Sequence, residues 1–182
     1  IFPDYSQTAV HCDEWIGPEP GTDTALALGM ARTIVDEGLY DEAHLKEQTD
    51  MPLLVREDTG KFLRASEVGL AGDADDPEKV FVMVDADGTL RRAPGSLGER
   101  DGQHDHSASI ELDFDPQLSV ERSVDTDEGS VAVRSVWENL TDELSQYTPD
   151  VVHEETGVGT NTYQRVAREF AEADAAKIIH GK

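Results

Sequence analysis

Gly21-Thr22-Asp23 stands between a proline-rich approach, Gly17-Pro18-Glu19-Pro20, and the small apolar run Ala25-Leu26-Ala27-Leu28-Gly29-Met30-Ala31. The three residue types suit recognition of a nucleotide. Glycine lets the backbone come close to a ligand, and threonine can cap a helix or donate a hydrogen bond. A carboxylate can accept from a ring N–H and an exocyclic amine together, the pair of donors that singles out guanine. In α/β folds, a turn after the carboxyl end of a strand that opens onto a helix N-terminus is where nucleotides sit. The same triplet also makes an ordinary helix start, with Thr22 as cap and Asp23 at the positive end of the helix dipole. By itself it leaves both readings open.

The remaining candidates for chemistry are weaker. His104 and His106 sit with Asp101 and Asp105 in a loop-like stretch. Such a set could ligate a divalent ion, but no second cluster in regular structure supplies partners. His11 adjoins Cys12, yet neighbours on a helix point in different directions, and Cys12 is expected to be a small buried apolar residue. The run Gly157-Val158-Gly159-Thr160 has no serine, follows no strand and is too short for a phosphate loop. The many Asp and Glu pairs read as a solvated acidic face.

The elements that must position these residues follow from periodicity. Tyr5 to Trp15 has Thr8, Ala9 and Cys12 spaced like the inner face of a short helix, and Ile16 starts a brief extended piece ended by Pro18 and Pro20. Residues 23–37 read as a strong helix whose apolar positions cover almost its whole circumference, so both sides are expected to be buried, with Gly38 as its stop. A short amphipathic helix is expected over 41–48. Beyond residue 51 the pattern turns to short extended pieces around Asp58-Thr59-Gly60. A hairpin follows with Ala86-Asp87-Gly88 at its turn, and further strands are expected at 109–114 and 130–133. The acid- and glycine-rich stretches 71–78 and 95–107 read as loops. Helices return over 136–146, 149–155 and 161–173, the last with Thr160 as candidate cap and Val166, Ala167 and Phe170 on one face. This order predicts an α/β fold with an inserted β-rich excursion: an α/β segment over 1–50, an acidic insertion over 51–134 and a helical return over 135–182, all one partial domain.

With 39 acidic and 15 basic residues among 182, the formal net charge is −24. That field repels the phosphates of nucleic acid and of anionic membrane surfaces. The acids alternate with periodic apolar residues instead of forming a disordered tail. Scarce lysine with Asp and Glu at most surface positions fits a protein of a high-salt medium. One cysteine excludes an internal disulfide framework, and no stretch approaches the ~20 apolar residues of a membrane helix. Ile1-Phe2-Pro3 reads as the end of a strand already under way, and Ala176 to Lys182 as a strand leading into its loop. Both suggest an internal piece of a longer chain.

The order "PDY…A…CD.W…PGTDTALALGM" (residues 3–30), the later "TDMPLLV" (49–55) and "YTPDVVHEETGV…VAREFA" (147–171) together resemble the molybdopterin oxidoreductases of the dimethyl sulfoxide reductase family. Within it they are most similar to the branch of respiratory nitrate reductase catalytic (alpha) subunits. The similarity is strong over 1–70 and 130–182 and looser through the acidic middle.

The resemblance implies a Rossmann-like nucleotide-binding portion of a large enzyme that holds molybdenum between two molybdopterin guanine dinucleotides. It implies that Gly21, Thr22 and Asp23 contact one dinucleotide, with Asp23 on the guanine edge and Gly21 and Thr22 shaping the pocket wall. Phe2 through Ser6 would run beside it, with Asp4, Tyr5 and Ser6 as further contacts, Asp4 or Ser6 toward the ribose or phosphate. Pro3-Asp4-Tyr5 departs from the Asp-Pro-Arg order of related families, so no arginine contact carries over. The molybdenum ligand, the Cys/His set for a 4Fe-4S cluster and any catalytic residue are expected outside these 182 residues, which alone would be inactive. The implied reaction is oxygen-atom transfer from nitrate in anaerobic respiration. The implied setting is a membrane-associated complex, on the extracytoplasmic or alternatively the cytoplasmic face, with an iron–sulfur beta subunit and a membrane electron donor. Reduction of selenate, chlorate or dimethyl sulfoxide is the rival within the family. A non-enzymatic acidic interaction domain is the rival outside it.

Overall fold

A computed structural model describes residues 1–5, 7, 9–72, 79–94, 98–100, 103–105, 110, 112–174 and 176, with 98–100 and 103–105 as backbone only. The chain divides into two units, residues 1–40 with 141–182, and residues 41–140.

In the first unit, helix α1 (Asp23–Asp36) buries Ala25, Leu26, Gly29 and Thr33, a single stripe at helical spacing. The expected burial on all sides is therefore corrected: Ala27 is exposed, and Leu28, Met30, Ala31, Ile34 and Val35 are half-buried. The reason lies in its neighbours. α1 packs on α4 (Pro149–Thr156) and α5 (Thr160–Glu172), which cover one stripe. Ile16, Leu26, Val152, Val158 and Tyr163 form the core where they meet. α4 starts on Thr148, whose Oγ1 accepts from Val151 N–H (3.3 Å), with Pro149 in the first turn. α5 begins one residue before its expected start, with Gly159 at the cap position and Thr160 as its first residue. Tyr163, absent from the expected inner face, is its largest fully buried side chain, and burial pushes its phenol above the usual range.

The N-terminal segment departs further from expectation. Among its described residues, Tyr5 to Trp15 contains only a three-residue 3-10 turn, Ala9–His11, none of it buried. So short a helix depends on tertiary packing, and Val10 and His11 here face solvent. Cys12 is exposed, its Sγ–H donating to Ala9 O (3.0 Å), which corrects the expectation of a buried thiol. No strand forms among the described residues of this unit; one backbone bond, Phe2 N–H to Ile16 O (2.9 Å), ties the start of the chain to Ile16. The terminal strand expected after Ala176 lies outside the described residues, as does most of the 71–78 loop.

The second unit is built on an antiparallel sheet in the order β1 (Leu54–Arg56), β7 (Gly129–Ser135), β6 (Glu121–Thr126), with Val55 opposite Arg134 and Val124 opposite Val131. A separate hairpin pairs β2 (Val82–Val84) with β3 (Leu90–Arg92) around the expected turn. Gly88 takes φ +87° there, a left-handed conformation that glycine adopts without strain, and Asp87 Oδ1 accepts from Thr89 N–H (2.8 Å). Leu54, Leu63, Ala65, Val82, Val84, Val120, Val124 and Val133 make one buried aliphatic cluster. A backbone hairpin, β4 (Gly98–Arg100) with β5 (Gln103–Asp105), stands where a loop was expected. Of the expected strand 109–114, Leu112 to Phe114 are not extended ladder residues, and Ser109 and Glu111 lie outside the described set. The unit opens with α2 (Glu42–Gln48), capped by Asp41 accepting from His44 N–H (3.0 Å). α3 (Val136–Leu144) leads out of it.

Candidate functional site

The approach to the Gly21-Thr22-Asp23 turn is stiffened by packing as well as by its prolines. Trp15 lays its indole against Gly17: a Cβ on that glycine would stand 2.5 Å from Cζ2 and 2.6 Å from Cη2. Tyr5 meets Trp15 edge-on, with ring centroids 5.5 Å apart and planes at 86°. Ile16 and Pro18 turn inward while Gly17, Glu19 and Pro20 face out. The alternation is that of an extended segment with one buried face.

At the turn itself Gly21 has φ +86°, and a Cβ there would meet nothing within 4 Å. Its glycine is thus required by backbone conformation, and the space beside it is open. Thr22 occupies the N-cap position, but its hydroxyl does not cap the helix. Thr22 Oγ1 donates to Glu19 O (2.7 Å), and Thr22 N–H donates to the same carbonyl (3.2 Å). The bland reading therefore fails in one respect, because the threonine binds the turn together and leaves the first-turn N–H groups of α1 without a side-chain cap. Asp23, the first helical residue, is exposed, and its carboxylate makes no hydrogen bond or ion pair among the described residues. Four features thus meet here: a free carboxylate, uncapped N–H groups, an open glycine and a hydroxyl already committed to the backbone. This surface can accept from two adjacent ring donors and leaves room for the ring beside Gly21.

Asp4 and Tyr5 are exposed, and Phe2, also exposed, is joined to Ile16 by its backbone bond. Ser6 lies outside the described residues. Glu14 pairs with Arg165 of α5, which also reaches Glu169 (2.8 Å), so the end of the N-terminal segment is pinned to α5. At the far end of α1, Arg168 grips Glu37 with two bonds (2.6 and 2.7 Å), and this guanidinium holds the Glu37 carboxyl below its usual range. The residues that sequence reading missed around the turn are Glu19 and Thr156, joined by Glu19 N–H to Thr156 O (2.9 Å). The only outward signal for them is Gly157, which ends α4 with φ +69°.

Elsewhere the candidates thin out. No three His, Cys, Asp or Glu side chains converge as a metal site among the described residues. His106 and the His104 side chain fall outside them. A cleft of about 400 Å³ between α2 and Asp115 contains Lys46. That ammonium is already tied to Glu42 (2.8 Å) and Asp115 (3.0 Å), and the Glu42 bond foremost raises its pKa. No described helix is long and apolar enough to cross a membrane.

No family model matches the chain. Curated relatives do. The chain is 70% identical over 183 residues to the respiratory nitrate reductase subunit alpha of Haloferax mediterranei, covering all of this chain and 19% of that protein. It is 36% identical over 197 residues to the perchlorate reductase subunit alpha of Dechloromonas aromatica, again over the whole chain and 21% of the relative. It is 32% identical over 182 residues to the dimethylsulfide dehydrogenase subunit alpha of Rhodovulum sulfidophilum, covering 19% of that protein. The chain thus spans about a fifth of the length of the relatives it matches. Relatives whose names carry different substrates thus align along the whole of this chain. Over its whole length, the chain is similar to a stretch of the alpha subunits of these molybdopterin oxidoreductases.

Proposed function

We propose that these residues form the nucleotide-holding part of the catalytic subunit of a molybdenum-dependent nitrate reductase. The observation that carries the reading is the 70% identity across the entire chain to a respiratory nitrate reductase alpha subunit. Likeness to these subunits brings a molybdenum cofactor, and our reading specifies it as molybdenum bis(molybdopterin guanine dinucleotide), with a 4Fe-4S cluster held elsewhere in the subunit. When bound, the cofactor supplies the two-electron oxygen-atom exchange that converts nitrate to nitrite. The residues present suit its nucleotide end. Asp23 offers an unpaired carboxylate to the guanine edge, Gly21 leaves the approach open, and Thr22 spends its hydroxyl on holding the turn. Asp4, Tyr5 and Ser6 would line the ribose and phosphate side. The helices α1, α4 and α5 would be one layer of a Rossmann-like α/β portion whose strands come from the rest of the subunit. Electrons would arrive through an iron–sulfur beta subunit from a membrane donor, on the extracytoplasmic face.

The test uses the full-length enzyme in high salt. It should oxidise reduced viologen with nitrate and release nitrite, and growth on tungstate should abolish this. Asp23→Ala should lose guanine nucleotide and turnover together while the protein stays folded, because the Asp23 carboxylate has no partner to lose among the described residues. Full nucleotide content and turnover in Asp23→Ala would remove the site assignment. Turnover with another oxyanion or a sulfoxide, but not with nitrate, would keep the cofactor and replace the substrate.

A further inference from the structure

We infer that Thr156, at the bend between α4 and α5, is a positioning residue for the Gly21-Thr22-Asp23 turn. The backbone of one residue, Glu19, carries the connection. Glu19 N–H donates to Thr156 O (2.9 Å), and Glu19 O accepts from both Thr22 N–H (3.2 Å) and Thr22 Oγ1 (2.7 Å). Thr22 O in turn accepts from Leu26 N–H (3.1 Å), the first backbone bond of α1. A continuous run of bonds thus leads from the α4 bend through Glu19 to the helix that presents Asp23.

The anchor end of that run is fixed more firmly than a loop carbonyl ordinarily is. Thr156 is fully buried, its Oγ1 donating to Val152 O (2.6 Å) and accepting from Val158 N–H (3.1 Å). Gly157 closes α4 in the left-handed conformation, its N–H on His153 O (2.9 Å). Val152 and Val158 on either side of the bend pack with Ile16 and Leu26, the buried residues that flank the turn. Val152 also presses on Gly29, where a Cβ would stand 2.5 Å from Cγ2. α1 therefore meets α4 at close range, and the turn is held at a set height above it. Gly157 closes α4 through its bond to His153 O, while Thr156 O, an end carbonyl of the helix with no intrahelical donor, takes Glu19 N–H from the segment that leads into the turn; that cross-segment bond is why we assign Thr156 a second role. Its consequence for cofactor binding rests on the Asp23 reading above; the mechanical coupling does not.

The full-length enzyme tests both halves. Thr156→Val keeps the shape and removes both hydroxyl bonds, while Thr156→Ser keeps the hydroxyl. Hydrogen exchange of the amides in 17–26, and guanine nucleotide released per protein on acid denaturation, are measured for each. In Thr156→Val, exchange at Glu19 and Thr22 should rise roughly tenfold, the scale of one or two lost hydrogen bonds, and nucleotide content should fall. Thr156→Ser should restore both. Faster exchange confined to 149–160 would make Thr156 a local helix stop and overturn the inference. Faster exchange in 17–26 with full nucleotide in Thr156→Val, but lost nucleotide in Asp23→Ala, would overturn its positioning role. Full nucleotide in both variants would overturn the Asp23 reading and leave the mechanical coupling supported. If Thr156→Val does not fold, Gly157→Ala perturbs the same bend by a different route, backbone strain at φ +69° with the Cβ in ordinary contact, 3.7 Å from the Glu19 side chain. It should shift both readouts in the same direction.

Discussion

Residues 41–140 close around eight buried aliphatic side chains, whereas the unit formed by 1–40 and 141–182 leaves Ile1, Phe2, Tyr5, Val10 and Trp15 exposed. Those five are the exposed large apolar side chains among the described residues, and all belong to one short segment. The first pattern is that of an independent core, since burying each Leu or Val contributes about 1.5–3 kcal/mol. The second is that of a surface awaiting cover, because an apolar patch rimmed by polar residues marks a place where something else sits. The candidate turn belongs to the unit of 1–40 with 141–182. The unit with the better core offers a cleft whose lysine is already paired. The proposed nucleotide site and the larger aliphatic core are separated along this chain.

That contrast can be broken most directly in the aliphatic core. Leu63→Ala, at a fully buried position, should cost about 2–5 kcal/mol, read as a lower urea midpoint. Nucleotide content should be untouched as long as the protein is folded. Loss of nucleotide at full stability would mean the two units are coupled. Next in size is Gly29→Ala. Its methyl would lie 2.5 Å from Val152 Cγ2, and overpacking of this kind costs about 1–3 kcal/mol. Val152→Ala in the same protein should recover part of it, and a double-mutant cycle measures how much. A Gly29→Ala protein as stable as the parent would show that α1 and α4 do not meet so tightly. The smallest effect concerns pH. Arg168 depresses the Glu37 pKa in the folded state, so the pair stabilises above the ordinary glutamate value of 4.5 and that contribution is lost as pH falls through the depressed folded value. Glu37→Gln should therefore flatten the acid limb of the stability curve between those two values. The difference should shrink in concentrated salt, since both groups are solvent-facing. An unchanged acid limb would show that the pair contributes nothing.

Much of this arrangement could be read from local chemistry. The β2–β3 hairpin was marked by Ala86-Asp87-Gly88 at its turn, and α4, expected over 149–155, runs from Pro149 to Thr156. β6 was not, because Glu121–Thr126 is polar on both faces with Val124 alone buried, and the strand exists through its pairing with β7. β7 was read too short because Arg134 and Ser135 look like its end. Ser135 is in fact fully buried, its N–H donating to Val120 O (2.9 Å) and its Oγ accepting from Val120 N–H (3.3 Å). The Tyr5–Trp15 helix was over-read: apolar spacing alone cannot form a helix that nothing packs against. At the candidate turn the residue types were readable but their bonding was not. Thr22 has the residue type of a cap and the geometry of a brace: its hydroxyl donates to Glu19 O (2.7 Å) and makes no bond to the helix amides.

The indole leaning on Gly17 has an optical consequence. The chain has two tryptophans, and they fall in different units: Trp15 is 39% exposed beside the candidate turn, and Trp137 is 7% exposed in the β-rich unit. Each unit thus carries its own fluorophore, a solvent-facing one emitting to the red and a sheltered one to the blue. A neutral quencher such as acrylamide, indifferent to the anionic surface, would extinguish the first and spare the second. Whatever comes to cover the turn would announce itself as a blue shift in Trp15 alone.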